Sequence, residues 1–186
     1  MLNRISVELE PAGQGGSRFF HQVSQIGDIL EITPPAGDFF LPDEPERPIV
    51  LLSAGVGPTP MVSMVETIGT NYPDIEVHYE HGALNSRTHA MDQYVRTIAH
   101  QHGKMSVATF YSDPAPQDSA GITHDQDGLI SSEWLRDNTP FSNADFFLCG
   151  PKPFLRGMVN DLGTLGIKPE RIHYEIFGPS DEEIAA

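Results

Sequence analysis

Three observations in the sequence predict an α/β fold with a doubly wound parallel sheet. Apolar runs alternate with helix-spaced segments from residue 49 onward. The first run ends in the glycine-proline turn SAGVGPTPM, residues 53–61, and a later run, DFFLCGPKPF at 145–154, ends in a similar turn. Strands that alternate with helices imply parallel pairing, with helices covering both faces of the sheet. A chain of 186 residues with 39% hydrophobic content can bury one such core and a small annex.

The elements follow in order. Residues 3–10 read as a strand, 13–16 as a glycine-rich turn, 17–25 as a short helix, and 29–34 as a second strand after Gly27 and Asp28. Two strands and a helix are too little for an independent sheet, so this part reads as incomplete. The proline- and charge-rich stretch 41–48 is a linker or long turn. Strands are then expected at 49–53, 75–80, 105–111, 145–149 and 171–177, and helices at 60–69, 88–101, 131–136 and 153–165. The stretch 113–128 has little apolar content and reads as a mobile surface loop.

Composition narrows the function classes. The formal charge is −15, and the 11 Lys and Arg residues are scattered, which argues against nucleic-acid backbones and anionic membranes. No apolar run is long enough to cross a bilayer and the start lacks a signal pattern, so the expected compartment is the cytoplasm. A single cysteine, Cys149, supports neither a disulfide framework nor a thiolate metal site, and no metal is expected.

The two turns carry the candidate chemistry. Gly55 and Gly57 let the backbone turn tightly and approach a pyrophosphate. Thr59 is placed to cap the following helix, Pro60 suits its first turn, and free amide groups there would face an anion. An ordinary strand-to-helix turn explains the same residues about as well. Cys149, Gly150 and Pro151 form a second rim at the carboxyl end of a strand, and two such rims on one sheet make a cleft. Cys149 has no base beside it in sequence, so a small buried side chain is favoured over a nucleophile. In IHYEIFGP, residues 172–179, the residues alone favour core positions for Tyr174 and Phe177 and a solvated Glu175.

Five segments in order, GDILEITPPAGDFFL, PIVLLSAGVGPTPMVSM, VHYEHGALNSRTHAM, FFLCGPKPF and IHYEIFGP, resemble the C-terminal reductase part of flavohemoglobins, the bacterial nitric oxide dioxygenases. That part belongs to the ferredoxin–NADP reductase superfamily, and the resemblance runs over about residues 4–179. It implies a partial antiparallel β-barrel of an FAD domain at 1–45, an NAD(P)-binding α/β domain at 46–180 and a tail at 181–186. It implies hydride transfer from NADH, with NADPH possible, to FAD, and onward electron flow to a globin heme domain or an iron–sulfur protein.

By the same resemblance, Gly55, Val56, Gly57, Pro58, Thr59 and Pro60 line the nucleotide pyrophosphate, and Cys149, Gly150 and Pro151 lie near its nicotinamide end. Gly16 and Ser17 would contact the FAD pyrophosphate, although a plain helix cap explains Ser17 as well. Ile176, Phe177, Gly178 and Pro179 match the flavin-side loop, and Ser53, Cys149 and Glu175 are the catalytic candidates. The family's Arg-x-Tyr-Ser flavin segment would fall upstream of Met1, and there is no globin, so nitric oxide dioxygenation is not expected of this chain alone. His21, His81, His89 and His173 occupy positions the family shares or nearly shares and read as structural. Beyond the second strand of the nucleotide domain only Arg87 could meet a 2′-phosphate, which favours NADH. Two alternatives stand beside this reading: an NADH-binding fragment that cannot retain FAD, and the reductase of an oxygenase. Unpaired strand edges would allow a homodimer.

Overall fold

The computed structural model describes residues 5–7, 9, 15–34 and 36–176. The chain divides into two compact units, Met1–Asp38 and Phe39–Ala186. In the second unit the strands are β1 (Ile49–Ala54), β2 (Val77–Ala83), β3 (Met105–Tyr111), β4 (Gln126–Asp127), β5 (Asp145–Gly150) and β6 (Ile172–Ile176). They form one sheet in the order β4-β3-β2-β1-β5-β6, and every neighbouring pair is parallel. The doubly wound α/β expectation is therefore met. The order reverses at β1, with β2, β3 and β4 added on one side and β5 and β6 on the other.

Helices α2 (Pro58–Asn71) and α3 (Asp92–His102) cover one face, and α4 (Ser132–Asn138) and α5 (Lys152–Thr164) the other. The first face buries Ile49, Leu51, Val77, Tyr79 and Phe147 beneath Met61, Val62, Val65 and Ile68 of α2. The second buries Val50, Leu52, Phe146 and Leu148 beneath Leu135, Leu155 and Leu162. Because β1 is central, both of its sides are covered, which explains its unbroken apolar sequence. Each fully buried leucine there contributes about 1.5–3 kcal/mol. Helices α2 and α3 approach closely at Gly69, where a Cβ would lie 2.8 Å from Ile98 Cγ2.

Several expectations change. The loop 113–128 is braced: β4 pairs with β3, His124 is buried and stacks on Tyr111 at 4.3 Å, and Asp125 accepts from Thr109 and Arg96. Polar contacts hold this segment where apolar ones are few. β2 runs on to Ala83 because Gly82 and Ala83 pair with β3, and Gly82 also lies opposite Ala54 of β1. The segment 39–45 belongs with the second unit: Phe39 packs against Phe147 at 6.1 Å between centroids, and Leu41 joins the same core.

In the first unit, α1 (Gly16–Arg18) runs into a wide, π-type turn at Phe19–Val23, closed by Ser24 N donating to Phe19 O at 2.9 Å. His21 Nε2 hydrogen-bonds with Val7 O at 2.8 Å. The strand expected at 29–34 forms no ladder: no described strand lies beside it, and Ile29 and Ile32 are exposed. The strand expected at 3–10 lies partly outside the described residues, and its described members, Ile5, Ser6, Val7 and Leu9, are not in strand conformation with a ladder partner among the described residues.

Candidate functional site

At the carboxyl edge of the sheet the strand registers place Thr109, His81, Ser53, Cys149 and Glu175 in one row across β3, β2, β1, β5 and β6. The three catalytic candidates thus stand on adjoining strands. Ser53 is fully buried, and its hydroxyl is engaged with Tyr79 Oη at 2.9 Å and His81 Nδ1 at 2.7 Å. Burial pushes the His81 imidazole down to about 3, with neighbouring His89 adding to the shift, so His81 is neutral at physiological pH. Among the described residues its buried Nε2 has no hydrogen-bond partner, and its ring stacks on His89 at 4.7 Å. Burial, then the nearby Glu175 carboxylate, pushes the Cys149 thiol up to about 12. Cys149 is therefore a neutral, fully buried side chain of the core rather than a thiolate. Glu175 is half-buried at the outer end of the row.

The glycine turn is locked between the two rims. Gly55 has φ +57 and donates to Gly82 O at 3.0 Å, a conformation that favours glycine. A Cβ on Gly57 would lie 2.0 Å from Cys149 O, and one on Gly150 would lie 3.0 Å from Ala54 O. Both glycines thus serve a backbone-on-backbone contact between the β1 and β5 loops. The space that the missing side chain of Gly57 leaves is filled by the Cys149 backbone.

The head of α2 is also thinner in donors than expected. The helix begins at Pro58 and Gly57 is its cap, so Thr59 is the second helical residue and does not cap. Of the four leading amide positions, Gly57 N donates to Ala54 O and Pro58 and Pro60 have no N–H, which leaves the Thr59 amide. Val56 lies in the turn itself. On the second rim Pro151 is the cap of α5, and its ring faces the Gly55 Cβ position at 3.7 Å.

Other candidates fall elsewhere. Gly16 opens α1 in the first unit with Ser17 second, and Gly15 is the cap, so Ser17 is not a plain helix cap. Ile176 ends β6 and pairs with Gly150, whereas Phe177, Gly178 and Pro179 lie outside the described residues. His89 and Tyr111 hydrogen-bond at 3.1 Å, and His173 stacks on Phe147 at 4.6 Å, in keeping with structural roles. Sequence reading missed the Ser53–Tyr79–His81 cluster and Asp118, whose carboxylate joins two loops. Both are assembled by contacts between distant segments and leave no local pattern; only the burial of polar types in a strand, Tyr79 and His81, is a signal that could have been followed.

A parallel sheet whose order reverses beside a glycine turn is the architecture of dinucleotide-binding domains. The sequence profile of the oxidoreductase NAD-binding domain family matches residues 51–160. The flavohemoprotein of Xylella fastidiosa (strain Temecula1 / ATCC 700964) is 52% identical over 183 residues, which cover 98% of this chain and 45% of that protein. The flavohem-like FAD/NAD-binding domain of nitric oxide dioxygenase from Vibrio cholerae O1 biovar El Tor is 34% identical, with a TM-score of 0.81 over 93% of this chain and 70% of that one. The flavohemoglobin of Malassezia yamatoensis, solved with bound FAD and heme, is 28% identical, with a TM-score of 0.76 over 92% and 43% of the two chains. The chain belongs to the oxidoreductase NAD-binding domain family and, within it, to the FAD/NAD-binding reductase part of the flavohemoproteins. It spans 45% of the length of the Xylella relative. Among the described residues no helix is long and apolar enough to cross a membrane.

Proposed function

We propose that the chain is a cytoplasmic NADH:FAD electron-transfer module that passes electrons onward to a heme or another redox centre. The observation that carries this reading is the locked glycine turn at the point of strand reversal, with Ser53, Cys149 and Glu175 in one row beside it. The residues fit a dinucleotide: Thr59 offers an uncommitted amide and a hydroxyl to a phosphate, and Gly55 is open apart from the Pro151 ring. When bound, NADH supplies a hydride and FAD accepts it.

The protein contributes placement. The turn from Gly55 to Pro60 holds the pyrophosphate, while Cys149, Gly150 and Pro151 form an apolar rim for the nicotinamide. Glu175 sets a negative charge beside the position where the nicotinamide ring becomes cationic on oxidation. Ser53 acts from beneath, holding the edges of β1 and β2 together through Tyr79 and His81. In the first unit, Gly16 and Ser17 are the residues that would meet an FAD pyrophosphate. A second reading, an NADH-binding fragment that does not retain FAD, is favoured by the absence of strand pairing among the described residues before Ile49.

The visible spectrum separates them. The purified chain is mixed with FAD, desalted, and treated anaerobically with NADH. A retained flavin band that bleaches supports the reductase module. No retained flavin, with NADH binding by calorimetry, supports the fragment, and loss of both activities overturns the dinucleotide site.

A further inference from the structure

The carboxyl ends of β2 and β3 carry a feature that the proposed site does not use. Beyond these strands Ser112 N donates to Ala83 O at 3.1 Å and Asp113 N to Leu84 O at 2.9 Å, so the two following loops leave side by side. Asp118 ties them together: its Oδ2 accepts from Ser86 N at 3.1 Å and from Ala115 N at 2.9 Å. Asn85 Nδ2 donates to Asp113 O at 3.2 Å across the same seam. Partial burial raises the Asp118 pKa, but hydrogen bonds from Ser86 and Ala115 outweigh it and hold the carboxyl below its ordinary range, as an anion.

Its position gives this carboxylate a meaning. With the pyrophosphate at the β1 turn and the nicotinamide toward β5 and β6, the adenosine half of the nucleotide extends over β2 and β3. A 2′-phosphate there would need backbone amides and cationic side chains. In dinucleotide domains an acidic residue about 20 positions beyond the glycine turn commonly meets the ribose hydroxyl of NAD. The acids nearest that spacing in this chain are Asp74 and Glu76, which precede β2 at its amino end, and the next, Glu80, is buried on the opposite face, accepting from Trp134 Nε1 at 3.1 Å. Asp118 brings a carboxylate to the carboxyl end of the sheet through tertiary contact. The charged residues of the two loops, 84–91 and 112–121, are then Arg87, Asp113 and Asp118, with the His89 imidazole pushed below its ordinary value chiefly by burial.

We propose that Asp118 is the residue that sets nucleotide specificity, favouring NADH because its carboxylate already occupies the amide nest, Ser86 and Ala115, that a 2′-phosphate would require. The proposal rests on the dinucleotide reading above. An incoming 2′-phosphate finds those donors taken and a like charge in their place, whereas a free ribose hydroxyl meets neither obstacle.

The test is the ratio of NADPH to NADH dissociation constants, measured by calorimetry on the full chain and on two variants, Asp118→Asn and Asp118→Glu. We expect the parent to bind NADH at least about tenfold more tightly than NADPH. In Asp118→Asn the ratio narrows about five- to tenfold, mainly through tighter NADPH binding. Asp118→Glu, which keeps the charge, keeps the parent ratio and guards against a folding defect in the first variant. Equal weakening of both nucleotides would make Asp118 a loop brace only and overturn the proposal, as would a ratio that stays within about twofold or that narrows equally in Asp118→Glu. Failure of the parent to bind either nucleotide would overturn the dinucleotide reading itself, a result distinct from a fixed ratio in a parent that binds.

Discussion

On the α2/α3 face of the sheet, the polar side chains nearest the carboxyl edge engage one another, Ser53 with Tyr79 and His81. On the α4/α5 face a carboxylate, Glu80, lies among apolar residues with the Trp134 indole as its donor. The two arrangements differ in their response to pH. Burial keeps His81 neutral down to about 3, so the first cluster is silent through the physiological range. Burial raises Glu80 to about 7, against which the Trp134 hydrogen bond works only in part, so the second changes charge where cells live. Burial thus shifts both groups, and of the two only Glu80 changes charge near pH 7 in the folded protein.

The largest effect is expected where the faces meet at the rim. Gly57→Val would force a Cβ to within 2.0 Å of Cys149 O, backbone that cannot swing aside. We expect a loss of about 3 kcal/mol or more, read as a lowered urea midpoint or failure to accumulate soluble protein. A variant of parental stability would mean that the two loops separate freely.

Glu80→Gln sharpens the contrast between the faces. Between the ordinary carboxyl value of 4.5 and about 7 the folded protein holds a proton that the unfolded chain has released. Stability from this group is therefore complete below 4.5 and lost as pH rises through 7, by about 3 kcal/mol in all. The glutamine variant should accordingly gain on the parent as pH rises from 5 to 8, in urea unfolding followed by fluorescence of Trp134, the chain's one tryptophan. A difference that does not move with pH would place Glu80 in contact with water.

Ser53→Ala tests the other face. It leaves the Tyr79 hydroxyl and His81 Nδ1 without their shared partner and should cost about 1–3 kcal/mol. The cost should be the same at pH 5 and pH 8, since His81 does not titrate there; a penalty that changes over that span would break the comparison. The smallest effect belongs to Lys104→Ala at the amino edge, outside both clusters. Its bridge to Asp74 at 3.1 Å is exposed on both sides, and under about 0.5 kcal/mol is expected in the same unfolding assay.

The apolar framework was legible in the sequence. The strands at β1 and β5 fall within a residue or so of their expected ends because they are buried interior runs whose pattern depends on little else, and β3, buried at its carboxyl half, is placed as well. The N-terminal alternation at 29–34 misled for the converse reason, since alternation specifies a strand only where a partner is present. β4 has two exposed residues and no pattern of its own, and it exists because Asp125 and His124 anchor its approach. At the site, the glycine turns could be located but their atomic purpose could not. That Gly57 answers to the Cys149 carbonyl, that Pro58 starts α2, and that Asp118 reaches Ser86 are facts of packing between segments far apart in the chain.

The contact between the Gly57 and Gly150 loops also bears on how such a protein tolerates change. In a library of all single substitutions, both positions would be depleted under selection for folding alone, before any nucleotide is offered. Invariance at this turn would then be a record of epistasis between two loops as much as of ligand recognition. Positions such as Thr59, whose uncommitted amide and hydroxyl answer to no such neighbour, are where selection for binding would leave its separate mark.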